Sequence, residues 1–139
     1  MRVKIETPIR TDFTCKIRLR IDDMNYGNHM GNERILVLAH ESRVQFLKSL
    51  SCSEFDLFGA SIIQADAAIV YKSEGHTGDE ILCSISVDNV GSSSFDLVYH
   101  FYNETTDKIL ALCKTGMVFY DYKNQKICPT PNAFKLQFK

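Results

Sequence analysis

The chain has 139 residues, 45% of them hydrophobic, which is enough for one compact domain over 1–139 and too little for two. Its 16 basic and 17 acidic residues leave a net charge of −1, and no Lys/Arg block stands out, so the electrostatic footprint of a nucleic-acid partner is missing. Neither a signal-peptide core near "MRVKIETPIRTDF" nor a window of roughly 20 apolar residues occurs, which speaks against a membrane partner and for a cytoplasmic protein. The first patterned element, "FTCKIRLRI" over 13–21, alternates Phe13, Cys15, Ile17, Leu19 and Ile21 with polar residues, the period of a half-buried strand. The stretch "MNYGNHMGN" follows, richer in Asn and Gly than a plain connector requires.

Residues 32–50, "NERILVLAHESRVQFLKSL", contain no Gly or Pro. Ile35, Ala39, Phe46 and Leu50 recur at helical spacing, and Leu36, Val37, Leu38, Val44 and Leu47 widen the stripe to most of the circumference. Such a helix is expected to be buried. Four further runs alternate at period two: "ASIIQADAAIVYKSE", "DEILCSISVDNV", "SFDLVYHFYN" and "KILALCKTGMVFYDY", joined by the polar turns "GHTGD", "GSS" and "ETTD". The last three read as an antiparallel meander, and "PNAFKLQF" as a closing helical turn. The sum is an α+β fold in which about five curved antiparallel strands wrap one long helix, with the outer side of the sheet left for self-association.

Five cysteines without a CxxC are expected to be buried free thiols, and the absence of repeated His/Cys/Asp spacing predicts no metal site. The chemistry concentrates at 24–32. A helix start offers amides without intrahelical partners and a positive dipole end, both suited to an oxygen that gains negative charge. The N–H of Gly31 or Asn32 fits that task, and Gly31 leaves room for a close approach. The simpler reading has Asn28 and Asn32 capping the helix while Gly27 and Gly31 form the turn. The two readings are compatible.

This element order and loop resemble the hotdog-fold thioesterases, in particular the acyl-CoA branch related to hydroxybenzoyl-CoA thioesterase. The family loop runs roughly Asp-x-x-Gly-His-x-Asn-Asn, and Asn25, Asn28, His29, Gly31 and Asn32 occupy the successive positions. The family's helical Glu-x-Arg is matched by Glu41 to Arg43, its strand tyrosine by Tyr71, its Gly-Asp pair by Gly78 and Asp79, and its Gly-x-x-Ser turn by Gly91 and Ser94. The resemblance implies hydrolysis of acyl-CoA or acyl-carrier thioesters in a homodimer or dimer of dimers, with no cofactor beyond the CoA of the substrate. It implies that the Asn32 amide polarises the thioester carbonyl. The family's usual aspartate is replaced by Asn25, whose amide cannot serve as base or nucleophile. Asp22 and Asp23 lie nearby but out of register.

Glu41 is the stronger candidate for base or nucleophile, since in a second branch a helix glutamate acts there in a site made by two subunits. An ion pair with Arg43 or Arg34 is its alternative. Asn25 would then orient water or the thioester, and His29 would organise the loop or assist proton transfer. The turn Gly91, Ser92, Ser93, Ser94 and the cation Lys72 are candidate contacts to the CoA moiety, with Leu57, Phe58, Ile62, Phe95 and Tyr99 as candidate acyl-channel residues. Two other functions stay open: a hotdog domain that binds acyl thioesters without cleaving them, and a dehydratase or hydratase.

Overall fold

The computed structural model describes residues 2–139. Strand β1 (Phe13–Arg18) keeps the alternation read from the sequence, with Thr14, Lys16 and Arg18 exposed. It pairs antiparallel with β3 (Glu80–Asp88), with Cys15 opposite Cys83. Strands β3, β4 (Ser94–Asn103) and β5 (Lys108–Asp121) form the expected meander. Strand β2 (Ser61–Tyr71) crosses to the far side and pairs with β5, which gives the order β1-β3-β4-β5-β2 with β2 on an open edge. A two-residue strand, β6 (Lys126–Ile127), adds to the end of β5 and was not apparent from the sequence, because two residues carry no period.

Near its middle β2 slips register between Gln64 and Asp66, so Ala65 is an extra residue in the strand. The Gly116 N–H donates to Asp66 Oδ1 at 3.0 Å, and a side chain at position 116 would run into that carboxylate. The glycine and the aspartate therefore hold the bulge between them.

Helix α1 (Arg34–Ser49) lies on the concave face of the sheet. Its Leu38, Ala39, Phe46 and Leu47 join Ile81, Ile85, Leu97, Tyr99 and Phe101 in one apolar core. The short helix α2 (Asn132–Gln137) closes one end of that core through Phe134, which packs against Phe95 with ring centres 4.6 Å apart and planes tilted by 44°. The expectation of an all-round buried helix is corrected here. Leu36, Val37 and Val44 are 38%, 43% and 42% exposed, since a single open sheet can cover only one stripe of a helix. Val37, Glu41, Val44 and Lys48 repeat every three to four residues and share the outward face.

One cation is buried beneath the helix. Arg43 donates from Nη1 to Tyr99 Oη at 3.1 Å and to Gln64 Oε1 at 3.2 Å, and its Nε lies 3.4 Å from a Glu54 carboxylate oxygen. Thr115 Oγ1 sits 2.9 Å from the Tyr99 hydroxyl, whose pKa is raised by burial. Removing the guanidinium leaves Tyr99 with Thr115 and leaves Gln64 and Glu54 within reach of water, so the loss is mainly packing and hydrogen bonds. Arg43→Ala is expected to lower stability by about 3 kcal/mol, and the volume-filling Arg43→Met by about 1 kcal/mol or less. Urea unfolding of the two variants checks this; equal losses would contradict it.

All five cysteines are free; Cys83 and Cys113 are buried, the other three half-buried. The two facing thiols shift each other, Cys83 drawing the Cys15 pKa down to about 7 and Cys15 pushing that of Cys83 up, while burial pushes Cys113 up to about 12. Cys15 is therefore largely thiolate at pH 8. Iodoacetamide at that pH is expected to modify Cys15 well ahead of Cys83 and Cys113, read by peptide mass spectrometry; equal rates would contradict it.

Candidate active site

After β1 the chain makes a single 3-10 turn, Ile21–Asp23, and Asp23 fastens it to the helix. Its Oδ2 accepts the Arg20 N–H at 2.7 Å, and its Oδ1 accepts Arg34 Nε at 3.0 Å and Nη2 at 2.9 Å. Asp23 is 6% exposed and wholly engaged, which makes it a structural anchor. Asp22, by contrast, is exposed near Arg20.

The loop from Met24 is knotted by Asn25. Its Oδ1 accepts the N–H of Gly27 at 2.9 Å and of His29 at 3.2 Å, while its own N–H donates to His29 O at 2.6 Å. Asn28 adopts a left-handed φ of 63°, which asparagine tolerates better than most residues, at the position where the family pattern has glycine. Met30 N–H then donates to Gly75 O, tying the loop to the segment after β2. Gly75 has to be small, because a side chain would meet Leu19, Leu110 and Met30.

Between these segments lies a cleft of about 290 Å3. Asn25, His29, Gly31, Asn32, Tyr71, Ser73 and Glu74 supply its polar lining, and Met30, Ile35 and Leu110 its apolar wall. The amino end of α1 opens into it without a capping side chain: Glu33, in the capping position, makes no cap hydrogen bond. The Asn28 and Asn32 side chains make no such bond either, so the capping role expected of them is not taken up. Gly31 N–H donates to Asp23 O at 3.0 Å and is spent, whereas the Asn32 N–H has no partner among the described residues. Of the two candidate amides only that of Asn32 is free. Its carbonyl accepts the Tyr71 hydroxyl at 2.9 Å, so β2 holds this turn in place. Gly31 itself is buried beneath the Glu33 carboxylate, which occupies the space kept free by the missing side chain.

Other sequence candidates lie elsewhere in the chain. Glu41 is exposed on the outward face of α1 and accepts Gln45 Nε2 at 2.9 Å; it pairs with neither Arg43 nor Arg34 and does not line the cleft of its own chain. The expected burial of this carboxylate is thus corrected. Lys72 lines an adjoining hollow with Lys108 that shares Ser73 and Glu74 with the cleft. Gly91, Ser92, Ser93 and Ser94 form the turn at the opposite end of β4, where Gly91 N–H donates to Ser94 O and the Ser92 and Ser93 carbonyls accept Thr130 and Phe119 amides. Leu57, Ile62, Phe95 and Tyr99 are core residues rather than channel walls. Glu74 was missed: as one charge in a polar turn it carries no signal, yet it is the sole carboxylate among the residues lining the cleft, with Oε2 3.0 Å from His29 Nδ1.

The family model of the thioesterase-like superfamily matches residues 19–138. The chain belongs to that superfamily. This thioesterase-like protein also shares its fold with solved structures. The 1,4-dihydroxy-2-naphthoyl-CoA thioesterase of Synechocystis superposes with a TM-score of 0.80 at 19% identity, covering 91% of this chain and 94% of that one. A thioesterase-superfamily protein of Jannaschia gives 0.82 at 17%, covering 94% and 83%, and a gentisyl-coenzyme A thioesterase gives 0.77 at 18%, covering 91% and 100%. No curated protein matches the chain by sequence. The family match makes the thioesterase-like protein a thioester hydrolase, and the superpositions give it the hotdog fold. Among the described residues no helix is long and apolar enough to cross a membrane.

Proposed function

We propose that the protein hydrolyses acyl-CoA thioesters in the cleft at the amino end of α1, as a cytoplasmic assembly of two or four copies. The observation that carries this reading is the unpartnered Asn32 N–H beside an apolar wall. A thioester carbonyl seated there would receive a donor oriented before the reaction begins, at the positive end of the helix dipole. Met30, Ile35 and Leu110 would receive the start of the acyl chain. Lys72 and Lys108 flank the cleft where CoA phosphates would need cations.

Glu41 is the base or nucleophile in this reading, delivered to the cleft by a second copy. Support comes from the company it keeps: Val37 and Val44 leave apolar surface on the same helix face, and β2 has an unpaired edge that a second copy would cover. The Gly91 to Ser94 turn would reach the CoA moiety from that second copy as well. The free thiols fit a reducing compartment.

Thiol release from short, medium, long and aromatic acyl-CoAs tests the proposal, and turnover of at least one class is expected. Binding of CoA esters without turnover of any would instead establish a thioester-binding domain, the reading that Asn25 in place of aspartate favours. Asn25→Asp is expected to keep or raise kcat/KM. The carboxylate retains the acceptor for Gly27 and His29 amides and adds a charged oxygen to the lining. A tenfold fall in kcat/KM would contradict this.

A further inference from the structure

At the rim of the cleft the loop carrying His29 meets the segment after β2. His29 Nδ1 and Glu74 Oε2 are 3.0 Å apart, the His29 and His76 rings stand edge to face with centres 5.7 Å apart, and one ligand atom from each of the three residues lies within 4.8 Å of the others. We propose that His29, Glu74 and His76 form a binding site for a divalent transition ion of the zinc class. Chain spacing hides the site, because the two imidazoles come from loops on either side of α1 and β2.

The donor set suits such an ion. Two imidazole nitrogens and one carboxylate oxygen are the ligands of borderline-soft Zn2+, and three protein ligands leave a fourth position open. Ligand bonds of about 2.1 Å in a tetrahedral arrangement put donor atoms about 3.4 Å apart. The three side chains are exposed and so have room to turn inward from that spread of up to 4.8 Å.

The backbones beneath them are already fixed. His29 is held on both sides by Asn25, and the Met30 N–H to Gly75 O bond ties the two loops together. His76 N–H donates to the buried Asp79, whose Oδ2 also accepts Asn103 Nδ2 at 2.8 Å. Lys72 and Lys108 share the adjoining hollow with Glu74 and His76 and repel a cation, so the Glu74 carboxylate is indispensable to net attraction. The ion would clamp the two loops at the mouth of the cleft. The site stands independently of the hydrolytic reading.

The test is titration of untagged, fully reduced protein with Zn2+ by calorimetry and with Co2+ by visible absorption. One ion per chain is expected, with Co2+ showing the intense d–d bands of four-coordination and no thiolate charge-transfer band. His76→Ala, which leaves the cleft lining intact, and Glu74→Gln are each expected to weaken binding at least about tenfold. Circular dichroism and an unchanged melting temperature without metal show that the variants fold. Absence of saturable binding by the wild type, a thiolate band, or unaltered affinity in His76→Ala would each overturn the proposal.

Discussion

Asn32→Pro is expected to lower kcat for thioester hydrolysis by about 100- to 1000-fold, the typical effect of losing one oxyanion donor, while Asn32→Ala stays near wild type. The comparison isolates the backbone. Proline removes the N–H together with the side chain, whereas alanine removes the side chain alone, which makes no hydrogen bond, and keeps the donor. The position precedes α1 by two residues, where proline removes no helical hydrogen bond, and the preceding Gly31 has the freedom to accommodate the ring. The Tyr71 hydroxyl still finds the carbonyl of residue 32 in both variants. Steady-state kinetics on the best acyl-CoA substrate reads the result; equal activity in the two variants would remove the amide from the mechanism.

Glu41→Gln is expected to abolish turnover without loss of stability, because the side chain is exposed and glutamine keeps an acceptor for Gln45. Geometry adds a sharper form of this experiment. Glu41 does not line the cleft of its own chain, so it acts on the cleft of a second copy or not at all. Mixing Glu41→Gln chains with Asn32→Pro chains then restores one intact site in each hybrid dimer, which is about a quarter of wild-type activity in a statistical mixture. No recovery in verified hybrids would exclude a shared site. Full activity of the single Glu41→Gln variant would move the base to Glu74, whose carboxylate stands in the cleft against His29.

Much of the fold was legible because its signals are periodic. The alternation of Phe95, Leu97, Tyr99 and Phe101 places each of these residues in the core, and the Gly-free run from 32 gives a helix that starts two residues later, at Arg34. Periodicity fails where burial depends on a partner element. The sequence gives Val37 and Val44 the same apolar character as Leu38 and Phe46, and only the open sheet decides which stripe is covered. At the site the loop pattern identified Asn25, His29 and Asn32 as neighbours, and they line one cleft. Which amide remains free was not legible, since it depends on the carbonyl of Asp23 taking the Gly31 N–H. Glu74 was invisible for a related reason: its meaning comes from His29, forty-five residues away in the chain and 3.0 Å away in space.

The bulge at Ala65 bears on how the chain avoids unwanted company in a crowded cell. An eleven-residue edge strand with Gln64, Ala65, Asp66 and Ala67 all exposed would be an open template for any extended peptide. The extra residue breaks that template in the middle, because a regular strand in phase with 61–64 falls out of phase by one residue beyond Asp66, and a one-residue slip presents the wrong face. Asp66 also places a negative charge on the same stretch, anchored to Gly116, where an aggregating segment would have to bury it. The edge thus rewards a partner shaped to its own irregularity and rejects the flat strands from which amyloid-like stacks grow.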